Sequence, residues 1–257
     1  MKITFLGVGS AFSKINANSN LLVESGNINM LVDCGHTASA SLIQHGRSIA
    51  DISNIFITHL HADHIGGLEE FAFMTRLVFK KSVQVMGTSS ILHRLWNHSL
   101  KGGLEFIELT PDDVTPQVME DFFTPRSLPH SQWIKLDDSS PLEMYLHPTN
   151  HVKLMESYAV ELREGDKHVL YTSDTRFDRP LLEKCIDRCT YIFHDCQLFD
   201  MGGNNDLGVH TSYNQLRSLP GDMRKKMWLY HYGDEPRPEA ENEGFAGFVS
   251  QLQTFDL

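Results

Sequence analysis

Residues 58–64 read Thr-His-Leu-His-Ala-Asp-His, directly after the apolar run Ile55-Phe56-Ile57. His59, His61, Asp63 and His64 put four metal-binding side chains into six consecutive positions. Imidazole nitrogen and carboxylate oxygen are the donors that suit zinc and its neighbouring first-row cations. A single histidine is more often a solvated or core residue. Four such groups where a strand gives way to a loop point instead to a metal site. Gly66 and Gly67 follow, where the backbone can bend toward a next helix. Three further segments share this design: residues 168–173 run into Asp174, 227–230 into His231, and Pro148-Thr-Asn150 into His151. Strand ends gathered at one rim are where side chains distant in sequence converge.

The elements that must carry these residues follow from apolar patterning and turn signals. Strands are expected over 2–6, 20–24, 29–32, 54–57 and 83–86, and helices over 38–45, 69–79 and 89–100. Residues 101–148 are acidic and turn-rich, with candidate strands at 104–109 and 133–136. Strands 158–162 and 168–172 flank Glu164-Gly165-Asp166, a hairpin signal. Strands at 191–194 and 227–231 and a helix at 213–218 complete the pattern. Strands in both halves, each followed by a helix, imply two sheets packed face to face with helices outside. No repeat or linker divides the chain, so residues 1–257 are expected to form a single domain.

Composition narrows the chemistry. With 257 residues, 41% apolar and 21% charged, the chain has the makings of a soluble globular protein. No apolar run is long enough to span a bilayer and no signal peptide is evident, so a cytoplasmic setting without a membrane partner is expected. Cys34, Cys185, Cys189 and Cys196 form no CxxC pair. They are expected as reduced structural thiols, with Cys185 and Cys189 four apart on one helix. A net charge of −11 disfavours broad capture of nucleic acid and favours a small substrate held in a metal pocket.

With these motifs in place, the sequence resembles the metallo-β-lactamase superfamily, in its ribonuclease Z-like phosphodiesterase branch. Thr-His-Leu-His-Ala-Asp-His carries the HxHxDH signature, while Gly7-Val-Gly-Ser10 and Leu31-Val-Asp33-Cys-Gly35 resemble two earlier strand-turn motifs. The resemblance implies an α/β fold, a four-layer αββα metallo-β-lactamase sandwich of two mixed sheets with helices outside. It implies two divalent metal ions, zinc first and manganese second. His59, His61 and His151 would hold one, and Asp63, His64 and His231 the other, with Asp174 bridging both. Two such cations bring water's pKa toward neutrality and stabilise charge building at phosphorus. His194-Asp195-Cys-Gln197 and His210-Thr211-Ser212 stand where the branch has His-Glu-Ala-Thr and His-Ser-Thr. Carried across, Asp195 would orient and charge His210 as general acid, and Asp63 counts among the catalytic groups.

Departures from the branch bear on the substrate. No glycine- and proline-rich basic arm for gripping tRNA is found, and His231-Tyr-Gly-Asp234 replaces the usual phenylalanine-serine-proline ending. Length and motif layout are instead similar to the compact anti-Pycsar phosphodiesterases of phages and bacteria. That likeness implies a homodimer hydrolysing 3′,5′-cyclic mononucleotides such as cCMP and cUMP, and so counteracting cyclic-nucleotide antiphage signalling. Phe12, Phe71, Phe73, Tyr158 and Tyr232 are the candidate aromatic residues for a base pocket. The alternatives are a ribonuclease Z-type tRNA 3′-processing endonuclease, hydrolysis of another cyclic phosphate ester, and a non-catalytic metal- or nucleotide-binding module.

Overall fold

The computed structural model describes residues 1–108, 115–199 and 208–257. Among the described residues the strands form two seven-stranded sheets. The first sets β1 (Lys2–Gly7), β2 (Asn20–Ser25), β3 (Ile28–Val32), β4 (Asn54–Phe56), β5 (Val83–Gly87) and β6 (Phe123–Ser127) side by side. The second does the same with β7 (Trp133–Lys135), β8 (Glu143–Pro148), β9 (Tyr158–Glu164), β10 (Lys167–Tyr171), β11 (Tyr191–Asp195), β12 (Met227–Tyr230) and β13 (Gly247–Phe248). β14 (Thr254–Asp256) then returns to pair with β1. Both sheets are mixed: β3 through β6 run parallel, as do β10 through β13, while the other pairs are antiparallel. This is the expected metallo-β-lactamase-type sandwich.

Direction is what matters for the site. β8 and β10 both lie antiparallel to β9, so β8, β10, β11 and β12 all point the same way. Their carboxyl ends therefore deliver the following residues to one rim, the usual place for a site in sheets of this kind.

Helices follow the parallel strands. α1 (Ala38–Gln44) comes after β3, and α2 (Ala62–Ile65) and α3 (Leu68–Phe73) after β4. α4 (Ser89–Leu95) and α5 (Lys101–Leu104) follow β5. α6 (Arg179–Cys185), α7 (Tyr213–Arg217) and α8 (Gly221–Arg224) belong to the second half. The helices expected over 69–79 and 89–100 are present, each relaxing into a π-helical turn, at Met74–Val78 and Trp96–Leu100. The strand expected at 104–109 is not found: Leu104 closes α5, residues 105–108 are not a strand, and Leu109 lies outside the described residues. Its apolar Leu104 is fully buried as a helix residue, and a run this short cannot separate the two periodicities. Cys189 lies beyond the end of α6 rather than on it, and all four thiols are free and buried.

Alternation along the second sheet divides its burial. Phe193, Val169, Tyr171 and Tyr230 join the core between the sheets, while Ile192, Leu170, Met227 and Leu229 pack with Leu181, Leu182 and Leu216 of the outer helices. Across the sandwich Phe5 packs edge-on against Phe193 at 4.9 Å and near Tyr230 at 5.6 Å. The outer face also holds a charge. Glu161 on β9 is fully buried and accepts from Arg188 Nε at 2.6 Å, Arg188 Nη2 at 2.7 Å and His147 Nε2 at 2.9 Å. Burial alone would raise its pKa, but Arg188, His147 and His168 hold it well below the usual glutamate range.

Arg188→Ala should therefore destabilise the protein. Arg188 is 37% exposed and two histidines remain beside the carboxylate, so the expected loss is about 2–3 kcal/mol by denaturant unfolding. Because the folded pKa is depressed, the contribution is present above the ordinary glutamate pKa and fades as pH falls below it. A loss that does not shrink on acidification would assign the effect to packing instead.

Candidate metal centre

Asp174 is the hub. Its carboxylate is buried, with Oδ2 3.3 Å from His64 Nε2, 3.8 Å from His59 Nε2 and 3.8 Å from His151 Nε2. Oδ1 lies 3.3 Å from His231 Nδ1. The candidate ligands fall into two groups around it, His59, His61, His151 and Asp174 in one, and Asp63, His64, His231 and Asp174 in the other. Donor atoms within each group lie within 4.8 Å of one another.

Local structure aims them. β4 ends at Phe56, and two residues later the chain enters the loop that carries His59 and His61 before α2 presents Asp63 and His64. The first group brings three imidazoles together: His61 Nδ1 lies 3.1 Å from His59 Nε2 and 3.1 Å from His151 Nε2. His151 donates from Nδ1 to Val209 O at 2.8 Å, which fixes its tautomer and leaves the Nε2 lone pair facing inward. His59 has its Nδ1 3.1 Å from Thr58 Oγ1, again freeing Nε2. Gly35 and Gly67 lock this loop to the end of β3. A Cβ on Gly35 would sit 2.0 Å from Asp63 O, and one on Gly67 2.5 Å from Gly35 O. Gly66 and Gly67 keep ordinary helical φ values of −65° and −87°, so the need is close approach rather than a special bend.

A residue not singled out as a ligand organises the second group. Asp33, just past β3, accepts from His64 Nδ1 at 2.7 Å, Thr58 N at 2.9 Å and Thr58 Oγ1 at 2.8 Å. This carboxylate–imidazole pair orients His64 Nε2 toward Asp63 and Asp174. Ser173 donates to Thr58 Oγ1 at 2.8 Å and so joins the two sheets beneath the cluster. The only sequence signal for Asp33 is its place in Leu31-Val-Asp33-Cys-Gly35. Asp33, Ser173 and His231 all adopt left-handed backbone conformations, with φ of 67°, 52° and 62°. Side chains rarely tolerate this geometry, which clusters at functional sites.

The electrostatics suit cations. Burial, with repulsion among neighbouring imidazoles, lowers the pKa of His59, His61, His151 and His231, keeping them neutral with lone pairs available. Burial opposes charge on His64, yet Asp174 and Asp33 on its two sides push its pKa well above the ordinary value. Burial likewise works against an ionised Asp174, but His231 and His64 hold its pKa well below the usual carboxylate range. His64 Nε2 and Asp174 Oδ1 are buried without a hydrogen-bond partner. Buried polar atoms are ordinarily paired, so these two orphans, set among neutral imidazoles and carboxylates, fit a pair of divalent ions.

His210 is held differently. It donates from Nδ1 to Asp195 Oδ2 at 2.9 Å, and its ring stacks on His231 at 4.9 Å. Thr175 N also donates to Asp195 Oδ2, at 3.0 Å, pinning the acceptor. Burial lowers the His210 pKa, but the Asp195 charge and hydrogen bond outweigh it and push it up to about 9. The structure therefore brings together all nine residues singled out in the sequence. His194 does not join them; it is buried on β11 and donates to Asp195 O at 2.7 Å. Of the aromatic candidates, Phe12 borders a cavity at the site. Phe71, Tyr158 and Tyr232 are core, and Phe73 packs against that core beside Phe122.

Comparison with known proteins places the chain among relatives in sequence and in fold. The chain aligns over its whole length, at 36% identity, with 98% of an anti-Pycsar protein Apyc1 of Bacillus phage 010DV004. It is 38% identical to the protein of the same description from Bacillus phage vB_BsuM-Goe3, over 97% of this chain and 96% of that one. In three dimensions it superposes on the metallo-β-lactamase fold protein YhfI of Bacillus subtilis with a TM-score of 0.75, at 16% identity, covering 99% of this chain and 98% of the other. No helix among the described residues is long and apolar enough to cross a membrane. The family model described as anti-Pycsar protein Apyc1 matches residues 1–255, and the chain belongs to that family.

Proposed function

We propose that this protein is a two-metal phosphodiesterase that opens 3′,5′-cyclic mononucleotides, cCMP and cUMP among them, to linear nucleotides, and so counteracts cyclic-nucleotide antiphage signalling. The observation that carries the reading is a pair of His/Asp clusters sharing Asp174, with a charged His210–Asp195 pair alongside. The relatives' description as anti-Pycsar proteins supports the substrate class.

His59, His61, His151 and Asp174 would hold one cation, and Asp63, His64, His231 and Asp174 the other. Bound there, the two cations would supply Lewis acidity toward phosphoryl oxygen and lower the pKa of water. Zinc suits these nitrogen and oxygen donors first, manganese second. Asp33 keeps a proton on His64 Nδ1, which leaves Nε2 as the donor atom. His210 enters the reaction protonated and gives its Nε2 proton to the ring oxygen that leaves phosphorus. Asp195 retains the Nδ1 proton throughout and favours the charged form beforehand. A leaving alkoxide is strongly basic, so this proton is needed as the P–O bond breaks. The same reading takes a cytoplasmic homodimer as the working form.

The protein loaded with zinc or manganese should linearise 3′,5′-cyclic nucleotides, and Asp174→Ala should abolish turnover. Precursor tRNA trimmed while every cyclic nucleotide stays intact would replace this reading with the endonuclease one. Asp33→Asn should weaken metal affinity by about 10- to 100-fold in a chelator competition. His210→Ala should keep its metals yet lose about 10²- to 10⁴-fold in kcat; loss of metal in that variant would make His210 a ligand. Since the acid must be protonated, kcat falls as pH rises through the His210 pKa, and Asp195→Asn should move that alkaline limb to lower pH. Light scattering should give twice the chain mass of 29.2 kDa, and a monomer would remove the dimer from the reading.

A further inference from the structure

Two cavities meet at His210. One is mainly polar and carries the opposite charges of Arg176 and Asp178 beside Phe177. The other, smaller and open to solvent, has His210 and His231 on one side and Phe12, Phe199 and Gln197 around it. Phe12 is 86% exposed and Phe199 49% exposed. Large apolar rings are seldom left in water together beside a reactive centre unless something covers them.

The Phe12 ring sits on a built turn. Ser10 N donates to Tyr232 O at 3.0 Å on one side of it. On the other, Ser13 Oγ donates to Asp234 Oδ1 at 2.6 Å and Lys14 N to Asp234 Oδ2 at 2.7 Å. The turn is thereby clamped to the segment His231-Tyr-Gly-Asp234, which begins with a candidate ligand. Phe199 is tied in a similar way, its carbonyl accepting from Gln197 Nε2 at 3.2 Å. Gln197 in turn bonds through its backbone nitrogen to Thr211 O, next to His210. Both rings are thus referenced to the histidines of the site rather than hung on free loops.

Resting on the cyclic-nucleotide reading above, we propose that the cavity walled by Phe12 and Phe199 is the subsite for the heteroaromatic base, and that Asp234 positions Phe12 on it. A cyclic mononucleotide has one charged group, which belongs at the Asp174 cluster, and one flat ring. Aromatic walls take such a ring by stacking, whatever its hydrogen-bonding edge. Seating it in the other cavity would strip water from Arg176 and Asp178 with no charge to replace it. The segment Gly233-Asp234, which replaces the branch's usual ending, acquires a role as the clamp of the specificity turn.

The test compares a cyclic nucleotide with 1-O-methylribose 3′,5′-cyclic phosphate, the same ring without its base. Phe12→Ala and Phe199→Ala should each raise KM for the nucleotide by about 5- to 100-fold, the range for losing one stacking partner. The ratio of kcat/KM for nucleotide over base-free analogue should fall by the same factor, and Phe12→Trp should restore it. Asp234→Ala, an exposed change, should move the ratio in the same direction by a smaller factor. An unchanged ratio in both alanine variants, with the wild type active on cyclic nucleotides, overturns the subsite alone. A wild type that hydrolyses neither compound overturns the cyclic-nucleotide reading, and the subsite with it.

Discussion

A buried negative charge surrounded by imidazoles is the constraint on which the molecule is built. Asp174 stays ionised in the interior because His231 and His64 face it; burial lowers the pKa of His59, His61, His151 and His231, whereas Asp174 and Asp33 raise that of His64. An isolated ionised carboxylate is strongly disfavoured in an ordinary core. The Asp33–Thr58–Ser173 hydrogen-bond network beneath ties the two sheets together at the cluster. The sandwich then reads as scaffolding: parallel strands whose carboxyl ends share a rim, with helices and an interior aromatic cluster holding them in register.

The same economy separates the histidines into kinds. Most of those around Asp174 have depressed pKa values and suit metal binding. His210 is raised because its carboxylate partner, Asp195, is held by Thr175 and hydrogen-bonds it directly, with Asp174 adding to the effect. Environments that push like residues apart in pKa are how a site assigns acid and ligand roles.

Much of this was legible in the chain. The heptapeptide at 58–64 exposes its chemistry because its ligands are local, and the strand ends at His151, Asp174 and His231 follow one repeated pattern. The hairpin at Gly165, where φ is +57°, was written in its turn residues. What escaped has physical reasons. Asp33 acts through a contact with His64, 31 residues away, and an aspartate after a strand looks like any turn former. Leu104–Glu105 and their neighbours are too short a run to separate helix from strand. β8 begins in an acidic, proline-bearing stretch whose patterning is weak, and β13 and β14 are only two and three residues long. Tyr158 and Tyr232 looked available as stacking surfaces, yet each spends its hydroxyl on an internal partner, Glu156 or Val249. The exposed Phe199 had no signal of its own.

Asp33, Ser173 and His231 share a left-handed backbone that glycine would adopt freely. None can become glycine without losing the side chain the centre uses. Each such residue costs of order 1–3 kcal/mol, a large share of the margin by which a domain stays folded. An ion that binds only the folded chain offsets that cost by mass action. If the centre holds ions as proposed, the protein's resistance to proteolysis would rise with the supply of free metal, so that starvation for the ion would expose the chain to degradation as well as remove its activity.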